Sequence, residues 1–477
     1  MSTTPSYPLN TSIHILGSSV FGLSSALHLA RAGYTDITVF DRSPTLPSPF
    51  AASHDLNKII RAEYGADHAE DDFYTELALE AIEAWQSDEW KQCFRQVGYM
   101  RLARTEEKQK GIVADLEYFS LAGRSAEKGE RRWFPDGAFN GVSSKKDLDE
   151  AGPQLQGRLD GQVWKGYLNT HAGYALASEA IKLAHRKCCD QGVKFVLGED
   201  GHIVELLRDA ADLKTVNGIV CASGTRHSHP PGSPSLTIIA MGAHVGKLLP
   251  SMRTRVTAKA WSVAHLELNK AEALALQGVP VVNLSEIGFW MEPLRMIKDV
   301  YGEDRFTLAS RDDPEDAIYL LKLACHGGGL TNYTYDCDTR YSMPPDQPTR
   351  MIPAEDEAQL RLVVETSLPE VFHRRSFVRK SICWCADTTD SDYCFDFIPE
   401  YNNVILAGAD SGHAFKMLPI IGQAVVHVVR QGKQPVKRWR WKEILHNDST
   451  SVSWRPGEVR DIGAICKQEN SIVDARL

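Results

Sequence analysis

The stretch ILGSSVFGLSSALHLARAGYTDITVFDR, residues 15–42, decides the fold. Ile13, Ile15 and Leu16, around His14, form an apolar run that meets Gly17, and an Ala/Leu-rich stretch from Val20 to Ala32 follows. That order reads as strand, tight turn and helix. A second apolar run, Ile37 to Phe40, ends on Asp41, 24 residues after Gly17, close to the offset at which an acid reaches a ribose hydroxyl. The unit reads as a βαβ dinucleotide site with a pyrophosphate at the helix N-terminus. Its glycine fingerprint is altered: it runs Gly17, Ser19, Gly22, so a small side chain, Ser19, stands where backbone should approach the pyrophosphate. The bland alternative is an ordinary βαβ turn with nothing bound. The strand-helix-strand-acid order favours the dinucleotide, with Gly17, Ser19, Val20, Gly22, Asp41 and Arg42 as contacts.

At 477 residues the chain has room for two domains and a large core, and 43% apolar with 24% charged residues is ordinary for a globular protein. A formal charge of −9 gives no general attraction to nucleic acid or to an anionic membrane. The basic run Lys437 to Lys442 reads as a solvated face carrying two packed tryptophans, because no nucleic-acid motif accompanies it. Ten cysteines in so long a chain make no disulfide framework, and MSTTPSYPLN lacks the basic and apolar regions of a secretion signal. The expected compartment is intracellular and reducing. No apolar stretch approaches a bilayer span, and the Cys-Trp-Cys of SICWCADTTD (381–390) lacks the further ligands a metal needs, so neither membrane nor metal is expected. The last three residues, Ala475, Arg476 and Leu477, match the SKL type of peroxisomal address. Without that address the expected location is the cytoplasm.

Beyond the first unit the pattern predicts a helix near 71–90, an unreadable charged and glycine-rich stretch over 104–150, and a helix over 176–191 leading into a strand at 193–197. A strand at 236–241 ends on Gly242, a second approach of backbone to a cofactor. Residues 256–334 read mostly as strands, with a polar loop from Tyr301 to Asp316. A strand at 403–407 enters GADSGHAFK, and a helix over 420–431 follows. Strand-turn-helix units at both ends imply an α/β fold. Its Rossmann-like dinucleotide domain is assembled from separated segments (1–98, 151–248, 385–445). The inserted α+β substrate domain (99–150, 249–384) is built on a mostly antiparallel sheet, and 446–477 form a tail.

These pieces, with ASHDLNKIIRAEYG (52–65), YLLKLACHGGG (319–329), ICWCADT and SGHAFK (411–416), resemble the sarcosine oxidase-like branch of FAD-dependent amine oxidases, in particular the fungal fructosyl amino acid oxidases or amadoriases. The resemblance covers nearly the whole chain. It implies FAD attached by a thioether from Cys383 to the flavin 8α-methyl; the residues alone leave Cys383 as an inert buried thiol. It implies Lys322 near flavin N5 as the group that activates O2, with His326 beside it; a strand lysine pointing to water is the alternative. It places Lys58 facing the flavin, with Arg61 and Lys416 gripping a substrate carboxylate. The other reading of Lys58 and Arg61 is an ion-pair face on one side of a helix. Asp410, Gly412 and Phe415 join the cofactor contacts, as does Lys416. The amadoriases resemble this chain at the lysine and lack the arginine three residues on. Ala414 stands where GHGFK would put glycine, so an extra methyl faces the flavin. Tyr64, Trp261, Phe289, Trp290 and Cys385 are the expected pocket walls.

The implied activity is a covalent FAD oxidase of a secondary amine bearing an α-carboxylate, an N-methyl or N-alkyl amino acid. Hydride leaves for the flavin, an imine results and O2 becomes H2O2. The enzyme is expected to act as a monomer. A fructosyl amino acid oxidase is the first rival. A biosynthetic oxidase of fungal secondary metabolism, whose iminium cyclises onto a phenol as in the fumisoquin type, is another. A catalytically inactive flavin-binding or ligand-binding protein is the rival of a different class.

Overall fold

The structure, a computed structural model, describes residues 7–64, 72–120, 134–299, 302–442 and 457–474. Six strands form the first sheet in the order Cys394–Phe397, Val404–Gly408, Ser235–Ile239, Ser12–Leu16, Asp36–Asp41, Lys194–Leu197. All neighbours run parallel except the edge pair Cys394–Phe397 with Val404–Gly408. Ile13, Ile15, Val39, Leu236 and Ile238 belong to one buried cluster that includes Leu23, Leu27 and Val425 of the helices Val20–Arg31 and Gly422–Gln431. Leu16, Phe40 and Ile239 join another cluster with the strands Ile203–Arg208 and Val216–Cys221. Burial on both faces explains why these strands read as continuous apolar runs. This is the Rossmann-like half, drawn from both ends of the chain.

The larger, mostly antiparallel sheet orders Thr257–Leu268, Tyr319–Cys325, Gly288–Trp290, Val281–Leu284, Tyr99–Ala103, Lys165–Asn169 and Phe139–Val142, with Arg379–Asp387 paired along the outer side of Thr257–Leu268. Lys165–Asn169, grouped by sequence with the dinucleotide segments, pairs in this sheet. The register fixes which side chains share a face, because cross-strand partners point the same way and successive residues alternate. Cys383 pairs with Trp261, and His265, further along the same strand on the same face, pairs with Lys322. Ala324 pairs with Phe289, Phe289 with Asn283, Asn283 with Arg101, and Arg101 with Tyr167. Cys383, Trp261, Lys322, Phe289, Arg101, Tyr99 and Tyr167 therefore lie on one face. The opposite face carries Ala260, Leu321, Leu323, Trp290, Val282, Met100, Leu102 and Trp384, all within one core.

Several sequence readings change here. Trp290 belongs to that core, with no exposure and its indole donating to Ser367 Oγ at 2.8 Å, so it is not a pocket wall. The stretch from Tyr301 to Asp316 contains a strand, Asp304–Leu308, paired with Leu294–Lys298, because Phe306 buries against the sheet. Asn57–Ile60 is a strand against Gly173–Leu176, which removes the helical reading of Lys58 and Arg61. Residues 104–150 include the helix Glu106–Ser120 and all but the last residue of the helix Lys145–Ala151. The basic run at 437–442 is engaged within the protein: Trp439 is buried, and Arg438 and Lys442 pair with Asp392.

Candidate functional site

A cleft enclosing about 1260 Å³ of free space, open mouth included, runs from the end of the first sheet toward the larger one. Gly17, Ser19, Val20, Asp41, Arg42, Lys58, Gly242, Asp410, Gly412 and Phe415 line it, with Ala414 and Cys385. Gly17 sits at φ 110°, and a Cβ there would fall 2.4 Å from Ala240 O, so the turn demands glycine. Gly22 lies beneath the turn: a Cβ would come 1.9 Å from Gly17 O. The glycine is needed for helix–strand packing. Ser19 is the N-cap of the helix Val20–Arg31 but makes no side-chain cap; its hydroxyl bonds Ser53 Oγ at 2.8 Å. The first N–H groups of that helix are left for an anion.

The Asp41 carboxylate accepts from Ser18 N at 2.9 Å, Ser18 Oγ at 2.7 Å and Ser43 N at 2.9 Å. It braces the turn while facing the cleft. Arg42 stacks on Phe50 at 3.5 Å and contacts His244 Nε2 at 3.1 Å. At the other end, Ala409 and Ser411 take left-handed φ of 61° and 44°, a strained turn that aims Asp410 at the cleft. Burial pushes the Asp410 carboxyl up to about 6, opposed by the N–H groups of Ala386 and Gly412, each at 2.9 Å.

Where the cleft meets the larger sheet, four ionisable groups converge. Lys322 Nζ is 2.5 Å from Asp55 Oδ2 and donates to Asn57 O at 2.8 Å. Lys58 Nζ is 2.9 Å from the same Asp55 oxygen and 3.3 Å from Cys383 Sγ. Burial opposes ionisation of Asp55, but the two ammonium groups outweigh it and hold its carboxyl below the ordinary range. Burial presses the Lys322 ammonium down against the pull of Asp55. The Cys383 thiol is lowered to about 5 by a hydrogen bond from Cys385, against desolvation and with help from Lys58. His326 lies just past the end of the strand Tyr319–Cys325 that carries Lys322, its ring 5.4 Å from Phe289, whose ring is 5.9 Å from Lys322 Nζ. Asp55 escaped the sequence reading: its spacing to Lys58 is visible, but its bond to a lysine on a distant strand is not.

A second group of charges gathers around Tyr64. Lys416 Nζ donates to Tyr64 OH at 3.2 Å, and that hydroxyl meets His413 Nδ1 at 3.0 Å. His413 Nε2 is 2.9 Å from Ser391 O; a carbonyl only accepts, so Nε2 carries the proton and Nδ1 accepts from Tyr64 and from Tyr393 OH at 2.8 Å. Arg61 donates to the Glu63 carbonyl and lies 5.4 Å from the centre of the Tyr99 ring. Glu63 is 2% exposed; burial raises its pKa against the pull of Arg61 and, less strongly, Lys416. Arg61 and Lys416, distant in sequence, thus share one acidic neighbour. Among the described residues no cluster of His, Cys, Asp and Glu suits a metal, and no helix is long and apolar enough to cross a membrane.

The family model described as FAD dependent oxidoreductase matches residues 12–428. This chain belongs to that family. FAD fits what the structure offers: a turn that only glycine can make, an uncapped helix start, an acid at the second strand end and a cleft lined from both chain ends. The oxidoreductase is 28% identical over 465 residues to an L-saccharopine oxidase of Schizosaccharomyces pombe, covering 94% of this chain and 96% of that one. It is 26% identical to an amino acid oxidase of Aspergillus fumigatus, covering 88% and 92%. Among solved structures it is similar to a fructosyl peptide oxidase from E. terrenum, with TM-score 0.79, 28% identity and coverage of 96% and 98%. Amadoriase II of Aspergillus fumigatus follows at TM-score 0.76, 27% identity and 96% of each chain. The resemblance to amine oxidases read from the sequence is borne out.

Proposed function

We propose that this oxidoreductase oxidises a secondary amine bearing an α-carboxylate, an N-alkyl amino acid, and passes the electrons to O2. The observation that carries the reading is the convergence of Arg61 and Lys416 around Tyr64 and Glu63, beside a sheet face that presents Lys322 and Cys383. When bound, FAD takes two electrons from the amine carbon. The chain's residues supply the rest. Arg61 offers a planar fork and Lys416 a point charge to the carboxylate, and Tyr64, whose hydroxyl is fixed by His413, orients Lys416. Lys322, buried and held by Asp55, supplies a positive charge where O2 gains electrons. Cys383, thiolate-prone beside Lys58, would hold the FAD through a thioether at the flavin 8α-methyl, a methyl C–H being lost and the two electrons passing through the flavin to O2. The relatives named as saccharopine, sarcosine and amino acid oxidases support the secondary amino acid as substrate class.

The enzyme acts as a monomer and is addressed to peroxisomes by Ala475, Arg476 and Leu477, which lie outside the described residues. Peroxide made there is close to catalase. A screen of N-methyl, cyclic N-alkyl and fructosyl amino acids for H2O2 release tests the reading. Turnover of N-alkyl amino acids is the expected result; turnover of fructosyl amines alone reassigns the enzyme to the amadoriase activity, and no peroxide from any amine overturns the oxidase.

A further inference from the structure

The sheet face that carries Lys322 also holds a buried histidine that the proposed chemistry does not use. His265 pairs at one level with Lys322 on one side and with Arg379 on the other. Cross-strand partners point the same way, so the three side chains form one row across three strands. At ~4.8 Å per strand the row spans roughly 10 Å. Exposure rises along it: the Lys322 side chain is 2% exposed, His265 6% and the Arg379 side chain 41%. Arg379 donates to Asp304 Oδ2 at 3.0 Å, and His54, exposed, feels the charges of Asp55, Arg379 and Asp304. Neither Arg379 nor His265 lines the cofactor cleft. The row therefore reaches Lys322 from the protein surface outside that cleft.

Both ring nitrogens of His265 are buried without a hydrogen-bond partner among the described residues, and the Arg379 backbone draws on the ring without completing a bond. Unpaired buried polar atoms cost stability. The charged groups around the ring are Lys322 and Arg379 across the ladder, Asp55 with Lys58 and His54 beyond it, Asp304 beyond Arg379, and Glu267 further along its own strand. Burial lowers the His265 pKa to about 4 against the pull of Asp55, with Lys322 and Arg379 adding to the fall. At neutral pH one nitrogen therefore donates and the other accepts. Reduction of O2 to H2O2 takes two electrons and two protons, and reduced FAD, as its anion, brings both electrons and one proton. The second proton has to come from the protein. Asp55 is a poor source, because two ammonium groups keep it ionised. Lys322 is a better one: burial weakens its hold on a proton, and Asp55 and the Asn57 carbonyl engage two of its three N–H groups. We propose that Lys322 gives this proton to the oxygen being reduced, and that His265 restores it from the Arg379 surface, one ring nitrogen donating toward Lys322 as the other takes a proton from solvent. A Lys322 N–H bond breaks as a peroxide O–H bond forms, and the N–H re-forms with the proton from His265. His265 is thus a positioning residue that acts through Lys322, and its role rests on the reading of Lys322 as the group beside O2.

The test uses the FAD-loaded full chain, reduced anaerobically by an N-alkyl amino acid and then mixed with O2 in stopped flow. His265→Phe keeps a ring without the nitrogens and should slow the O2 step at least about tenfold, less than the loss of a proton donor itself, while bleaching by the amine changes little. In His265→Gly, added imidazole should restore the O2 step. An undiminished O2 step in His265→Phe would overturn the relay. Equal losses in both half-reactions, or a loss in His265→Gly that imidazole leaves untouched, would make His265 a packing residue and overturn it too. A second readout uses the FAD-free chain and needs no turnover. The folded pKa of His265, about 4, lies below the unfolded value of about 6.5, so its contribution is present above pH ~6.5 and is lost as pH falls toward 4. Over that range the melting temperature of the parent should fall more steeply than that of His265→Phe, and parallel curves would place an ordinary solvated histidine at 265 and overturn the relay. If His265→Phe fails to fold, His265→Gln, which keeps polar atoms but passes no proton, carries the same comparisons. An O2 step unchanged in Lys322→Met would instead refute the reading of Lys322 beneath it.

Discussion

The Lys58 ammonium stands 3.3 Å from Cys383 Sγ while Asp55 holds it at 2.9 Å. The sulfur therefore has a fixed cation beside it and a thiol lowered to about 5, first by its hydrogen bond with Cys385 and then by Lys58. A thiolate is the nucleophile in cysteine chemistry.

If that sulfur carries the FAD, Cys383→Ala should yield protein whose yellow colour is lost to the supernatant after acid precipitation. Cys385→Ala should keep an acid-stable colour. Reconstitution of apoprotein with FAD should show attachment nearly independent of pH above 6, because the thiol is already ionised there. Lys58→Met and Cys385→Ala each remove a group that lowers the thiol pKa, so the onset of attachment should move to higher pH in both. Colour retained by Cys383→Ala would place the bond elsewhere.

Lys322 and Lys58 share one carboxylate, and that makes Asp55 a test of stability as well as chemistry. Asp55→Asn leaves two buried ammonium groups without their anion, and breaking a buried pair typically costs about 3–5 kcal/mol. The folded pKa of Asp55 is depressed, so its stabilisation is present above the unfolded carboxyl value of about 4 and disappears as pH falls through the lower folded value. The melting temperatures of parent and Asp55→Asn should therefore differ most near neutrality and converge only in strong acid. A constant gap from pH 7 to pH 2 would exclude the charge as its cause.

Lys322→Met separates oxygen chemistry from amine chemistry. Removing a preorganised charge where charge develops costs roughly 3 kcal/mol, about a hundredfold or more in rate. Stopped-flow mixing with O2 should show that loss, while anaerobic bleaching by the amine changes far less. Bleaching slowed as much as the O2 step would assign Lys322 to the amine.

The βαβ unit was legible because its periods and its turn are local: Gly17 and Gly22 are required by backbone atoms within the unit and its neighbour strand. The strand Asp304–Leu308 was hidden by the turn-forming residues around it, and only its pairing with Leu294–Lys298 reveals it. The candidate site was legible in parts. Cys383, Lys322 and Lys416 stood in short motifs, whereas Asp55, Glu63 and His265 acquire meaning from partners that only the folded chain brings near. Trp290 shows the same limit in reverse: one register step separates it from Phe289 and puts it in the core.

The proposed peroxisomal address is checked in cells. A fluorescent fusion that leaves Ala475, Arg476 and Leu477 free at the C-terminus should be punctate and become diffuse when those three residues are removed. Diffuse signal from both would leave the enzyme outside peroxisomes.

Arg61 gives the most discriminating kinetic test, because its guanidinium lies among Glu63, Tyr99 and Tyr167, where it could equally serve the fold. If it grips the α-carboxylate, replacing that carboxylate by a neutral amide should reduce kcat/KM by about thirtyfold or more, the equivalent of losing one partner of a buried charge pair at roughly 2–5 kcal/mol. Arg61→Ala should lose a similar amount on the acid and little more on the amide, since the contact is already absent. Such non-additivity is the mark of direct interaction between the altered groups. Lys416→Met should show the same pattern at smaller amplitude, because a point charge oriented by Tyr64 gives up one donor, not a fork. Equal losses on acid and amide in Arg61→Ala would assign the arginine to holding Glu63 and the Tyr99 strand in place, and would move the carboxylate grip to Lys416.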